Sequence, residues 1–97
     1  FKTLGAAVNN NGNALKAIGQ GSGDGAGTNT SGFSALLAGY RGIYRAFDGL
    51  GYYADFWSST ETKSADAYAL VLGSTVSGIT LGINGKADGF SVRCVKE

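Results

Sequence analysis

The chain has 97 residues, 43% of them hydrophobic and 15% charged, with a formal net charge of +1. That composition suits one small folded domain and gives no electrostatic footprint for nucleic acid or an anionic membrane. Histidine is absent and Cys94 is the only cysteine, which excludes imidazole-assisted nucleophilic catalysis, Cys/His zinc sites and an intrachain disulfide.

Glycine, with 17 residues, punctuates a chain that has no proline, and this favours tight turns between short strands. At the amino end, Phe1, Leu4 and Val8 fall on one face of a helix over Phe1 to Val8. Asn9-Asn10-Asn11-Gly12 stops it, because asparagine and glycine tolerate positive φ. Ala14 to Ile18 is a short apolar piece that fits helix or strand. Gly19 to Ser31 is glycine-rich, almost without apolar side chains, and reads as a long loop.

Phe33 to Tyr40 reads as a short strand or irregular core segment, and Gly39 to Gly51 has no clear period. Tyr52 to Ser59 carries aromatic and β-tolerant residues and is expected as a strand. Ala65 to Leu72 is the next strand, with Tyr68, Leu70 and Leu72 on one face. Its Ala67 to Leu72 stretch, the longest apolar run, is far short of the ~20 residues of a membrane-spanning helix. Val76 to Ile83 alternates cleanly and places Ile79, Leu81 and Ile83 together. Gly73-Ser74-Thr75 suits the connection between these two strands, and Asn84-Gly85 is a strong hairpin dipeptide leading into a last strand, Phe90 to Lys96. The carboxyl-terminal half is therefore expected to be an antiparallel meander. The predicted core contains Phe33, Trp57, Leu70, Leu81, Phe90 and Val92.

Four groups of residues suggest chemistry. Gly21-Ser22-Gly23-Asp24-Gly25-Ala26 matches a relaxed G-x-G-x-x-A phosphate pattern, but the flanking strand and helix that make such a pattern work are missing, so a loop is the better reading. Asp24, Thr28 and Asn29 supply oxygens, yet the distal glutamate of a calcium loop does not follow. Asp55 and Glu61 bracket Trp57 as a carboxylate pair beside an aromatic ring, the minimal kit for glycoside hydrolysis, although acids at this spacing are common on a solvated surface. Ser58 and Ser59 have no base partner in sequence.

The fourth group is the most suggestive. Tyr40, Arg41, Tyr44, Arg45, Tyr52, Tyr53 and Trp57 fall within eighteen positions. Tyrosine, tryptophan and arginine dominate binding hot spots because they offer large contact area with a polar tip. Against that, several of them can simply form the core of a small β-rich domain. The candidate ligand-binding set is Tyr40, Arg41, Tyr44, Arg45, Tyr52, Tyr53 and Asp55.

Four strings in series carry a family resemblance: Thr28 to Leu36 (TNTSGFSAL), Ala38-Gly39-Tyr40-Arg41, Phe56 to Glu61 (FWSSTE) and Gly89 to Val95 (GFSVRCV). In this order and spacing the chain resembles the Fibrobacter succinogenes major paralogous domain of secreted and surface proteins of Bacteroidetes and related bacteria. The resemblance implies a C-type-lectin-like fold, so the expected fold class is α+β: an antiparallel sheet, one amino-terminal helix and a long glycine-rich loop. It implies no enzyme activity and no cofactor. Calcium-dependent sugar binding is not implied, because Trp57 is followed by Ser58-Ser59 and the lectin proline motif is absent. The expected function is a non-catalytic recognition module for a surface glycan or a protein. The alternatives are a structural unit that self-associates through sheet edges and, more remotely, a hydrolase using Asp55 and Glu61. No nucleic-acid partner or membrane insertion is expected; a homo-oligomer belongs to the self-association alternative.

Starting at Phe1, residues 1–97 read as a single domain, trimmed or part of something longer: either the carboxyl-terminal part of the family domain or a short version of it. Family domains carry an upstream cysteine, which the resemblance makes a partner for Cys94. The apolar phase Phe90, Val92, Cys94 instead turns the thiol inward as a buried small hydrophobe, which is the favoured reading.

Overall fold

Alternating aromatic and aliphatic residues build the central sheet of the computed structural model, which describes residues 8–93. Among these residues there are five strands: β1 (Tyr40–Arg41), β2 (Phe47–Asp48), β3 (Tyr53–Lys63), β4 (Asp66–Gly73) and β5 (Thr80–Gly85). They form two antiparallel sheets, a β1–β2 ribbon and a three-stranded sheet in the order β3-β4-β5. The only helical pieces among the described residues are two 3-10 turns, Gly12–Ala14 and Gly23–Gly25.

This corrects the expected fold class. The described chain is a small all-β domain, not an α+β domain of C-type-lectin-like type with a helix packed on its sheet. The helix expected over Phe1 to Val8 lies outside the described residues except for Val8, which sits in a turn. Ala14 to Ile18 forms neither a helix nor a regular strand. It leaves the first 3-10 turn and makes one parallel bridge, Lys16 to Ala35.

β3 and β4 are joined by Ser64-Ala65 alone, with Lys63 opposite Asp66 closing the hairpin. From there the ladder runs through Trp57↔Ala69, Phe56↔Leu70 and Ala54↔Leu72, interrupted by register shifts between Trp57 and Lys63. Period-2 geometry sends Ala54, Phe56, Leu70 and Leu72 to one face. There they meet Leu15, Phe33, Ala35 and Leu37 to form the core. Phe33 packs edge-on to Phe56, centroids 5.7 Å apart. Half of this core thus comes from irregular chain. Over Phe33 to Gly39 burial alternates as in a strand, but Ser34 has φ of 58° and breaks the ladder.

The expected β5 is shorter than its apolar alternation. Val76 to Ile79 is diverted, because Gly12 N–H donates to Ser77 O at 2.6 Å and Asn11 bridges Gly78. Leu81 and Ile83 are exposed, so Leu81 leaves the predicted core. Asn84-Gly85 is not a two-residue hairpin: both residues remain in the β4–β5 ladder, and the turn falls over Gly85 to Asp88. The last expected strand is reduced to bridges at Gly89 and Ser91. Phe33 and Leu70 are buried as predicted, Trp57 and Phe90 are half-buried, and Val92 is exposed. Cys94 and the end of that strand, through Lys96, lie outside the described residues.

Candidate functional site

The ribbon β1–β2 is built from a three-residue loop. Arg45 N–H donates to Gly42 O and Gly42 N–H to Ala46 O, both at 2.9 Å, so Ile43, Tyr44 and Arg45 form the tip. Such a loop places its last residue in the left-handed region, and Arg45 has φ of 67°. Below the tip, Arg41 lies opposite Phe47. Its guanidinium carbon is 5.5 Å from the Phe47 ring centroid, and its Nε donates to Arg45 O at 3.2 Å. Cation and ring therefore brace the loop from one side.

The other side of the ribbon anchors it. Tyr40 packs edge-on to Phe90, and Phe90 stacks on Trp57 with centroids 4.4 Å apart. Arg41 exchanges backbone hydrogen bonds with Gly89 at 2.8 and 2.6 Å, while Ser91 bonds the edge of β3 through Asp55 O and Trp57 N–H. The Gly89 to Ser91 segment thus ties the ribbon to the main sheet. Gly49 (φ 73°) closes the ribbon's base. A Cβ there would lie 3.2 Å from both the Tyr40 and Tyr53 rings, so a side chain would crowd them as well as strain the left-handed backbone.

What this frame presents is apolar. Tyr44 is 93% exposed, Phe47 82% and Leu50 77%, and Ile43 and Tyr52 are also exposed. Of the predicted set, the structure brings Arg41, Tyr44, Arg45, Tyr52 and Tyr53 to the surface on this ribbon and its exit turn. Tyr40 is half-buried and serves as an anchor. Sequence reading left out Ile43, Phe47 and Leu50. Their signal was available: large apolar residues in a glycine-punctuated stretch with no strand or helix period to bury them.

Asp55 stands apart. It is buried, and its Oδ2 has no hydrogen-bond partner. Burial, reinforced by the nearby Asp88 carboxylate, raises its pKa to about 6. The ladder sets Asp55 opposite Val71 and Glu61 opposite Ala67, which separates the two backbones by about 13 Å along the sheet. The Glu61 side chain lies outside the described part of the structure. In the glycine loop, Asn29 caps a turn, its Oδ1 accepting from Ser34 N–H and its Nδ2 donating to Ser34 Oγ, both at 2.8 Å. Thr28 Oγ1 donates to Asn13 O, and the Asp24 carbonyl accepts from Asn13 Nδ2. These residues serve the loop's internal bonding. No group of three or more acidic, cysteine or histidine side chains converges among the described residues. No described helix is long and apolar enough to cross a membrane.

The sequence profile of the Fibrobacter succinogenes major domain matches residues 1–96. The chain belongs to that family. No curated protein and no solved structure matches it. Within this Fibrobacter succinogenes major domain, the strings that carry the resemblance do identifiable work. FWSSTE spans the core-facing Phe56, the Trp57 stack and the register shift of β3. GFSVRCV begins with the segment that pins the ribbon, and its Arg93 guanidinium carbon lies 4.4 Å from the Phe33 centroid.

Proposed function

We propose that this Fibrobacter succinogenes major domain is a non-catalytic recognition module that docks its β1–β2 ribbon on a glycan or protein surface. One observation carries the reading. Five large apolar or aromatic side chains are exposed along residues 43–52: Ile43, Tyr44 and Phe47 on the braced ribbon, Leu50 and Tyr52 in the turn that leaves it. Contiguous exposed apolar patches mark interaction sites. A patch of this kind costs solubility and contributes nothing to the core, so its place in the molecule is explained by a ligand that covers it. Arg41 and Arg45 supply polar tips at the rim, the composition of a binding hot spot.

The test is a glycan array and a panel of immobilised surface proteins, probed with the wild-type domain and with the double variant Tyr44→Ala/Phe47→Ala. Both side chains are outside the core, so the variant is expected to melt within about 2 °C of wild type. Any specific binding is expected to weaken at least about tenfold. Undiminished binding by the double variant contradicts the assignment.

A second reading, self-association, has its own observation. β5 is uncharged from Thr80 to Gly85, no described residue pairs with its outer edge, and Leu81, Ile83 and the neighbouring Tyr68 are exposed on one face. Unprotected edges of this kind promote association. Sedimentation of wild type and Ile83→Lys tests it: a dimer lost on introducing the lysine supports this reading, and a wild-type monomer removes it. Hydrolysis by Asp55 and Glu61 has the least support, because it rests only on two acids near Trp57 whose backbones stand about 13 Å apart along the sheet.

A further inference from the structure

Lys16 is fully buried, among the largest side chains sealed from solvent in the described structure. Its ammonium donates to Gly25 O and Val76 O, both at 2.8 Å, and to Asn13 Oδ1 at 3.0 Å. Among the described residues no carboxylate bonds it. An ammonium has three N–H donors, and three oxygens from three separate segments receive them. A neutral amine has only two donors and a lone pair, which one of the three oxygens would then face. The set therefore fits the charged form, although burial alone pulls the pKa of Lys16 below its usual 10.5.

From this geometry we infer that the domain contains a primary-ammonium site whose resident ligand is its own Lys16 side chain. The tethered cation locks the glycine loop against the β4–β5 connection, the role that a bound metal ion plays in many irregular loops. The three oxygens belong to the first 3-10 turn (Asn13), the second (Gly25) and the residue that follows Gly73-Ser74-Thr75 (Val76). Without a cation at their centre, three acceptors would face one another, with Gly25 O buried and the Asn13 and Val76 oxygens part-buried.

The surrounding backbone is shaped for the same closure. Ser22 N–H donates to Ser74 O at 2.8 Å and Gly27 N–H to Gln20 O at 2.8 Å. A Cβ at Gly25 would collide with Ser74 O, and one at Gly27 would collide with Ala17 O and come 2.8 Å from Lys16 Cβ. The glycines let the loop wrap the lysine stem closely enough for carbonyls to reach the ammonium. This accounts for glycine at Gly25 and Gly27, which phosphate binding does not.

The experiment compares wild type with Lys16→Ala, which leaves the oxygens and removes both stem and cation. Its melting temperature is expected to fall by at least about 10 °C, since three charge-assisted hydrogen bonds and the buried lysine stem are lost and Gly25 O is left buried without its donor. Butylammonium chloride is expected to restore about 5 °C by mass action, whereas 1-butanol and tetramethylammonium, which lack either the charge or the N–H donors, are expected to restore none. A variant that melts with wild type, or one rescued equally by 1-butanol, overturns the inference. Should Lys16→Ala not fold, wild type gives an independent reading by amine acylation and mass spectrometry. Lys16 is expected to react at least about 100-fold more slowly than the exposed Lys63, and equal reactivity overturns the inference.

Discussion

Arg45 and Asp55 each hold an arrangement that costs the fold something. The Arg45 backbone occupies the left-handed region, unfavourable for a residue with a Cβ by about 1 kcal/mol. Arg45→Gly is therefore expected to stabilise the domain by roughly 0.5 kcal/mol, after glycine's own entropy is counted. If the ribbon is the docking surface, the same change removes a rim guanidinium and weakens binding. Stability up and affinity down, read by thermal melts and by titration of whichever array ligand is retained, is the combination expected. At Asp55 the folded-state pKa of about 6 lies above the unfolded value of 3.8. The protonated carboxyl thus stabilises the fold below about pH 4, and that contribution is lost as pH rises through about 6. Asp55→Asn is expected to flatten the fall in stability over this window and to gain on the order of 1 kcal/mol at pH 7, the figure being reduced for solvent screening. Urea melts at pH 4, 5, 6 and 7 measure it. A parallel fall in both proteins contradicts the assignment.

Among the elements, β4 carries the most of the structure. It is the central strand, and Ala67, Ala69, Leu70 and Leu72 are all buried. Leu70→Ala is expected to cost about 2–5 kcal/mol, a large share of the ~5–15 kcal/mol that holds a small domain together. Chemical denaturation checks it, and a loss below about 1 kcal/mol contradicts the placement of the core. β4 was legible because its apolar run, Ala67 to Leu72, has only one good burial solution. β5 was misread for a physical reason. Its alternation of Ile79, Leu81 and Ile83 marks a face, but alternation does not say whether anything covers that face, and here Leu81 and Ile83 stay exposed although Leu81 lies opposite the buried Leu70. Turn chemistry misled in both directions. Asn84-Gly85 stays within a ladder, while Ser64-Ala65, with no glycine or asparagine, makes the tightest hairpin. The candidate site was partly legible: the tyrosine and arginine residues stood out by type, whereas the lack of a burying period around Ile43, Phe47 and Leu50 was a weaker signal that the structure makes plain. Lys16 gave no signal at all, since a lysine in an apolar stretch reads as one surface residue until three distant acceptors converge on it.

At the scale of the whole molecule, the sheet and the ribbon divide the labour. The β3-β4-β5 sheet and the irregular chain from Gly12 to Gly39 form the core, with Lys16 closing the glycine loop behind it. The ribbon contributes no buried side chain, only the half-buried Tyr40 anchor, and it is tied on by Gly89 to Ser91. A module so divided can vary its ribbon without losing its fold. The central claim is that ligand engages this ribbon, and amide hydrogen exchange of the wild-type domain with and without a ligand retained from the array tests it most directly. The account predicts added protection concentrated in residues 40–53, with β4 unchanged. Protection along β5 with none in residues 40–53 would contradict it.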